Sequence, residues 1–235
     1  MEKQYWLISG ASQGIGAAVV EQLSKNAKNV VIGFGRNAQK IQDLSMRLKN
    51  NPAQLDLFQA DIVQDLDKIA EKIAKLPYLS VLINNAATFL HKPFLETSPK
   101  DWQELFATNV FASVALIQKS LAQLEKNPKK AQVLNITSMG GFQGSVKFAG
   151  LSAYSASKAC LANITECLAA EYSTSNIAFN ALALGAVQTD MLSQAFPDYK
   201  APINPAEIAE FIVQFAEKNG QLFNGKILPV SSSTP

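Results

Sequence analysis

Ser9-Gly10-Ala11-Ser12-Gln13-Gly14-Ile15-Gly16 follows an apolar run, Tyr5–Ser9, and opens a segment with helical character, Gly14–Ala27. Glycines at 10, 14 and 16 let the backbone turn sharply and approach a ligand with no Cβ in the way. The helix that follows offers unpaired N–H groups and a partial positive charge, which suit a pyrophosphate. Ser12, Gln13 and Ile15 complete the turn. The spacing differs from the commoner G-x-G-x-x-G, but a strand before it and a helix after it are what a dinucleotide-binding turn requires.

Outward from this turn, apolar runs alternate with amphipathic segments. Strands are expected at Asn29–Phe34, Leu55–Gln59, Leu79–Asn84, Gln132–Thr137, Ile177–Leu182 and Lys226–Val230. Helices are expected from about Asn37 to Lys49, and over Asp65–Lys75, Pro99–Glu125, Ala153–Tyr172 and Pro205–Asn219. This alternation predicts a doubly wound α/β fold, a parallel sheet of about seven strands with helices on both faces. No linker divides the chain, so residues 1–235 read as a single domain. The stretch from about 186 to 204 has weak periodicity and two prolines, and reads as a loop with a short helix, a candidate lid. The tail Ser231–Pro235 is expected to fray.

The composition fits a soluble globular chain: 48% of its 235 residues are hydrophobic and 17% charged, with mean hydropathy near zero. A net charge of +2 argues for neither nucleic acid nor an anionic membrane as partner. No signal peptide is visible, and no window is read as reaching the ~18 apolar residues of a membrane span. Cys160 and Cys167 lie on one expected helix, roughly 10 Å apart at ~1.5 Å per residue. That is too far for a disulfide, and a reducing, cytoplasmic location is expected. His91 is the only histidine and has no partner at ligand spacing, so no metal is expected in the chemistry.

Tyr154-Ser155-Ala156-Ser157-Lys158 puts a phenol and an ammonium on one helix face, one turn apart. A free tyrosine titrates near pH 10, and a nearby cation favours the phenolate, which makes Tyr154 a candidate acid–base group. Together with Gly10–Gly16, Asn84-Asn85-Ala86-Ala87, Asn109, Ser138 and Gly185-Ala186-Val187-Gln188-Thr189, the pair resembles the short-chain dehydrogenase/reductase family over nearly the whole chain.

The resemblance implies hydride transfer with a nicotinamide cofactor. Ser138 would hold the substrate carbonyl, Tyr154 would pass its proton, and Lys158 would lower the tyrosine pKa and bind the nicotinamide ribose. Asn109 would kink its helix and complete a proton relay through a water. Asp61, with Ile62 beside it, would meet adenine; Asn85 and Ala86 would lie along the adenosine ribose. Gly185, Val187 and Thr189 would reach the nicotinamide carboxamide. For Asp61 a helix N-cap is the structural alternative. After the second expected strand stand Gly35 and Arg36, with no carboxylate to repel a 2′-phosphate, so NADP(H) is favoured over NAD(H). Gln13 stands where many NADP-preferring relatives carry a second basic residue.

Two departures from the family pattern are visible. The segment between Ser138 and Tyr154 is longer than usual and contains Gly140, Gly141, Gly144 and Gly150, and Leu184 replaces a common proline. The expected activity is NADP(H)-dependent reduction of a carbonyl, a ketone or a 3-oxoacyl thioester, to an alcohol. The partner would be that small molecule, and the assembly a homodimer or homotetramer. A dinucleotide-binding regulatory protein without turnover is the alternative.

Overall fold

A computed structural model describes residues 2–231. Among these residues the strands are β1 (Gln4–Ser9), β2 (Asn29–Gly35), β3 (Gln54–Gln59), β4 (Val81–Asn84), β5 (Ala131–Ser138), β6 (Ile177–Leu184) and β7 (Lys226–Val230). They form one seven-stranded sheet in the order β3-β2-β1-β4-β5-β6-β7, with every neighbouring pair parallel. The strand order reverses between β1 and β4, which opens a crevice at their C-terminal ends. The α/β doubly wound expectation is met. The tail from residue 232 onward lies outside the described residues.

Both faces are covered because successive strand residues point to opposite sides and nearly all are apolar. Trp6, Ile8, Val31 and Leu134 face α1 (Gly14–Ser24), α2 (Ala38–Leu48) and α8 (Pro205–Gln214). Leu7, Val30, Ile32 and Val133 face α3 (Leu66–Ala74) and α5 (Ala112–Glu125), joined by Ala169 of α6 (Ser152–Glu171). The remaining helices are α4 (Pro99–Phe106) and α7 (Asp190–Ala195). Two helix starts follow from local chemistry. Ser98 and Asp101 form a capping box ahead of α4, Asn204 and Glu207 one ahead of α8, and each helix has proline at its first position.

The elements depart from the sequence reading where side chains or tertiary contacts compete with periodicity. α1 stops at Ser24, whose hydroxyl donates to Glu21 O. β4 begins at Val81 because the Leu79 N–H is taken by Gln123 O at 2.8 Å. β6 runs on to Leu184, which pairs with Ser138 and Val230 instead of starting a turn. α8 passes into a π-helical turn at Phe215–Asn219. The run Pro99–Glu125 is broken by a π-helical turn, Ala107–Phe111, centred on Asn109. Contrary to the sequence reading, this run is long and apolar enough on average to cross a membrane, with mean hydropathy 1.3 over its best window. In the fold, its apolar side chains Leu116, Ile117 and Leu124 are buried in the core.

A buried polar chain fixes α6 against the sheet. Asn84 Nδ2 donates to Asn135 Oδ1 and Asn135 Nδ2 to Thr165 Oγ1, both at 2.8 Å, and the Thr165 hydroxyl in turn donates to Leu161 O. Removing the central amide strands donor and acceptor in the core. Asn135→Ala is therefore expected to cost roughly 2–3 kcal/mol, read as a lower urea midpoint at unchanged m-value.

Candidate active site

All of the crevice-forming loops lie at the C-terminal edge of the sheet. A cleft of about 970 Å³ runs there from Arg36 and Asp61, past Gly10 and Asn85, to Ser138 and Tyr154. The glycine turn is held by its own backbone. Gly10 and Gly14 have φ of +70° and +56°, where side-chain-bearing residues are strained. Ser12, Gln13, Gly14 and Ile15 line the cleft. Gly16 does not; a Cβ there would lie 2.1 Å from Gly10 O, so its role is the close packing of α1 on the turn.

The next loop is fastened to this turn. Asn85 Nδ2 donates to Ser9 O and Gly10 O at 3.1 and 3.2 Å, and the Ser9 hydroxyl accepts from the Asn85 and Ala86 N–H groups. Ser9 is a positioning residue that the sequence did not single out, since a serine ending a strand looks ordinary. Asp61 and Ile62 line the far end of the cleft. Asp61 is not a helix cap: its Oδ1 accepts from Val63 N at 2.8 Å, while Asp65 precedes α3.

Arg36 is exposed at the cleft's edge. A second cation comes from α2, where Lys40 Nζ lies 2.6 Å from Gln13 Oε1 and 3.3 Å from Asp190 Oδ2. Twenty-seven residues separate Lys40 from Gln13, and only the packing of α2 beside the glycine turn joins them. Gly185, Val187 and Thr189 border the cleft opposite Gly14. Val187 is tied to Ile203 by a parallel bridge, and the Thr189 hydroxyl caps α7 through Leu192 N at 3.2 Å.

Ser138, Tyr154 and Lys158 meet at the end of β5. The Ser138 side chain lies against the Tyr154 phenol closely enough to lower its pKa, and its hydroxyl accepts from Gly140 N at 3.1 Å. Lys158 Nζ lies 5.9 Å from the Tyr154 ring centre and donates to Ile136 O at 2.9 Å. The glycine-rich segment leaves room for this helix, since a Cβ on Gly141 would lie 2.6 Å from Ala159 N. Asn109 sits behind the trio and does not reach the cleft wall. Its amide accepts from Thr88 N at 2.8 Å and donates to Thr88 O and Ser157 Oγ, each at 3.0 Å. The π-helical turn is thereby stitched to the loop after β4 and to α6.

Burial sets the protonation states, in a sense opposite to the sequence reading. The Tyr154 phenol is pushed up to about 12 by desolvation, against the lowering effect of the Ser138 hydrogen bond. Lys158 is pushed down to about 8 by desolvation. In the protein without cofactor, the ammonium does not pull the phenol down; both groups are driven toward neutrality. This poises a neutral phenol, able to donate, beside a lysine that titrates near neutral pH. Between about pH 8 and 10 the unfolded lysine keeps a proton that the folded one has released, so stability rises with pH at up to about 1.4 kcal/mol per unit. Above pH 10 Tyr154 opposes this, because the unfolded phenol ionises first. Denaturant titrations from pH 7 to 10 on the cofactor-free protein should show the rise, and Lys158→Met should flatten it.

A model of the short chain dehydrogenase family matches residues 4–200. A 3-oxoacyl-acyl-carrier-protein reductase of Aquifex aeolicus is 28% identical over 242 residues, covering 96% of this chain and 94% of that protein. Gluconate 5-dehydrogenase of Gluconobacter oxydans is 28% identical over 241 residues, covering 95% and 91%. Among solved structures, a short chain dehydrogenase of Escherichia coli complexed with NADPH superposes with a TM-score of 0.85 at 27% identity over 97% of each chain. One from Shigella flexneri complexed with NADP gives 0.85 at 26% identity over 97% of each. Matched over most of its length and folded as those structures are, the chain belongs to the short-chain dehydrogenase family of nicotinamide-dependent oxidoreductases.

Proposed function

We propose that this protein is an NADP(H)-dependent carbonyl reductase. The reading rests above all on Ser138, Tyr154 and Lys158 lining the same cleft as the glycine turn, with Lys158 Nζ 5.9 Å from the Tyr154 ring centre. A dinucleotide fits the cleft: the positive-φ glycines leave the α1 N-terminus open to a pyrophosphate, and about 970 Å³ spans the distance from Arg36 to Tyr154. When bound, NADPH would supply a hydride to the carbonyl carbon.

The chain's own residues do the rest. Ser138 donates to the carbonyl oxygen and stabilises the charge that develops there. Tyr154, kept neutral by burial, gives its proton to that oxygen as the alcohol forms. Lys158, held by Ile136 O, favours the resulting phenolate and starts its reprotonation. Asn109 positions α6 through Ser157. Residues 186–204 act as a lid, carrying Val187 and Thr189 to the nicotinamide end.

Arg36 and the absence of an acid after β2 support NADP(H) over NAD(H), as do the relatives solved with NADPH and NADP. Lys40, reaching Gln13, supplies the second cation that the glycine turn lacks. A ketone or a 3-oxoacyl thioester is the substrate range, in a cytoplasmic homodimer or homotetramer. The exposed Phe111 on the long helical run supports the assembly.

Oxidation of NADPH followed at 340 nm with a panel of ketones tests the proposal. Tyr154→Phe should lower kcat by about a thousandfold or more while NADPH still binds. Arg36→Ala should raise KM for NADPH by about tenfold and leave KM for NADH within about twofold.

A further inference from the structure

The two ends of the cleft differ in charge. Arg36 and Asp61 mark the adenosine end, and Asp190 is held toward α2 by Lys40 at 3.3 Å. Around Tyr154 the cleft is walled by Phe89, Val146, Phe148, Leu151, Phe196 and Tyr199, and among the described residues its charged lining is Arg36, Asp61, Asp190 and Lys158. Three of these are far more exposed than apolar side chains usually are: Val146 at 53%, Phe148 at 57% and Tyr199 at 49%. Exposed apolar groups gathered around a cleft mark a surface that a ligand covers.

The rings come from three separate segments and touch one another in part. Phe89 packs on Tyr154, with ring centres 4.9 Å apart. Phe196 meets Phe148 edge-on at 6.3 Å and His91 at 5.5 Å. The long loop between Ser138 and Tyr154 is tied to the segment after β4, where Lys92 N donates to Gly150 O at 2.9 Å. Gly150 has φ of +78°, and a Cβ there would lie 2.4 Å from the His91 ring. His91 is thus part of the aromatic wall's support. Lys92 is paired with Asp101 at 2.9 Å, and the exposed Lys147, bonded to Phe142 O at 2.7 Å, does not line the cleft. Lys200 is exposed and does not line the cleft.

Resting on the carbonyl-reductase reading, we propose that the substrate is an uncharged carbonyl compound with an aromatic body, seated against Phe148 and Phe196 with its carbonyl at Ser138 and Tyr154. Within the proposed range, aliphatic 3-oxoacyl thioesters are the poorer substrates, because a short acyl chain leaves the aromatic walls uncovered. This separates the chain from the acyl-carrier-protein reductase it resembles.

The experiment compares 1-phenyl-1,2-propanedione, 2,3-butanedione and acetoacetyl-coenzyme A as substrates with NADPH. The aryl diketone should exceed butanedione by about tenfold or more in kcat/KM, and acetoacetyl-coenzyme A should be the poorest. Phe148→Ala, at a position exposed enough not to threaten folding, should narrow the aryl preference to about threefold, chiefly through KM. Acetoacetyl-coenzyme A matching or surpassing the aryl diketone overturns the inference and leaves carbonyl reduction standing. So does an aryl preference that Phe148→Ala does not change. Calorimetry of 1-phenyl-1-propanol on the NADP-loaded protein separates the two readings if nothing turns over. Binding weakened by Phe148→Ala then keeps the chamber assignment and removes the reductase; no binding overturns the chamber assignment too.

Discussion

A parallel sheet cannot turn back on itself by hairpins, so every strand here ends at the same edge. That constraint supports everything functional in this protein. The loops after β1, β2, β3, β4, β5 and β6 all open on one cleft, and the reversal of strand order between β1 and β4 provides the gap. The gap is narrow where α1 meets the glycine turn, and only backbone without Cβ fits between Gly16 and Gly10. Ser9 and Asn85 then tie the loops after β1 and β4 together, so the floor of the cleft is a hydrogen-bonded unit.

Helix α6 delivers the reacting groups to that floor. Its attachment is polar and buried, through Asn135 to Thr165 and through Asn109 to Ser157. Buried amides in such a chain are costly unless satisfied and rigid when they are. The π-helical turn Ala107–Phe111 carries Asn109, whose side-chain amide spans to Thr88 and Ser157. The same burial that orders Tyr154 and Lys158 also strips both of hydration. A neutral phenol and a weakened ammonium are the result, with a backbone carbonyl of β5 holding the lysine.

The cleft is divided by chemistry as well as by shape. Among the described residues, Arg36 brings a cation to its β2 end with Lys40 of α2 close by, where an anionic nucleotide belongs, and Lys158 lies at the reacting end. The chamber past Tyr154 is apolar and ringed with aromatic side chains from segments distant in the chain. Low polarity there strengthens the Ser138 and Tyr154 hydrogen bonds that a carbonyl would meet, since water competes less for them.

Local sequence carried the fold, because period-two and helical patterns, glycine turns and capping boxes depend on neighbours in the chain. The glycine turn, Arg36 and the Tyr154–Lys158 spacing were readable for the same reason. Element ends were less legible: Ser24, Leu79 and Leu184 were settled by hydrogen bonds that compete with periodicity or come from distant segments. The direction of the Tyr154 and Lys158 pKa shifts was decided by tertiary structure, since desolvation depends on what packs around a group and not on its partner one turn away. So were Lys40 beside Gln13 and His91 beneath Phe196, contacts between elements whose sequence separation hides them. The chain's own order determined which groups exist and on which elements; packing alone determined their distances, their charge and the shape of the space they enclose.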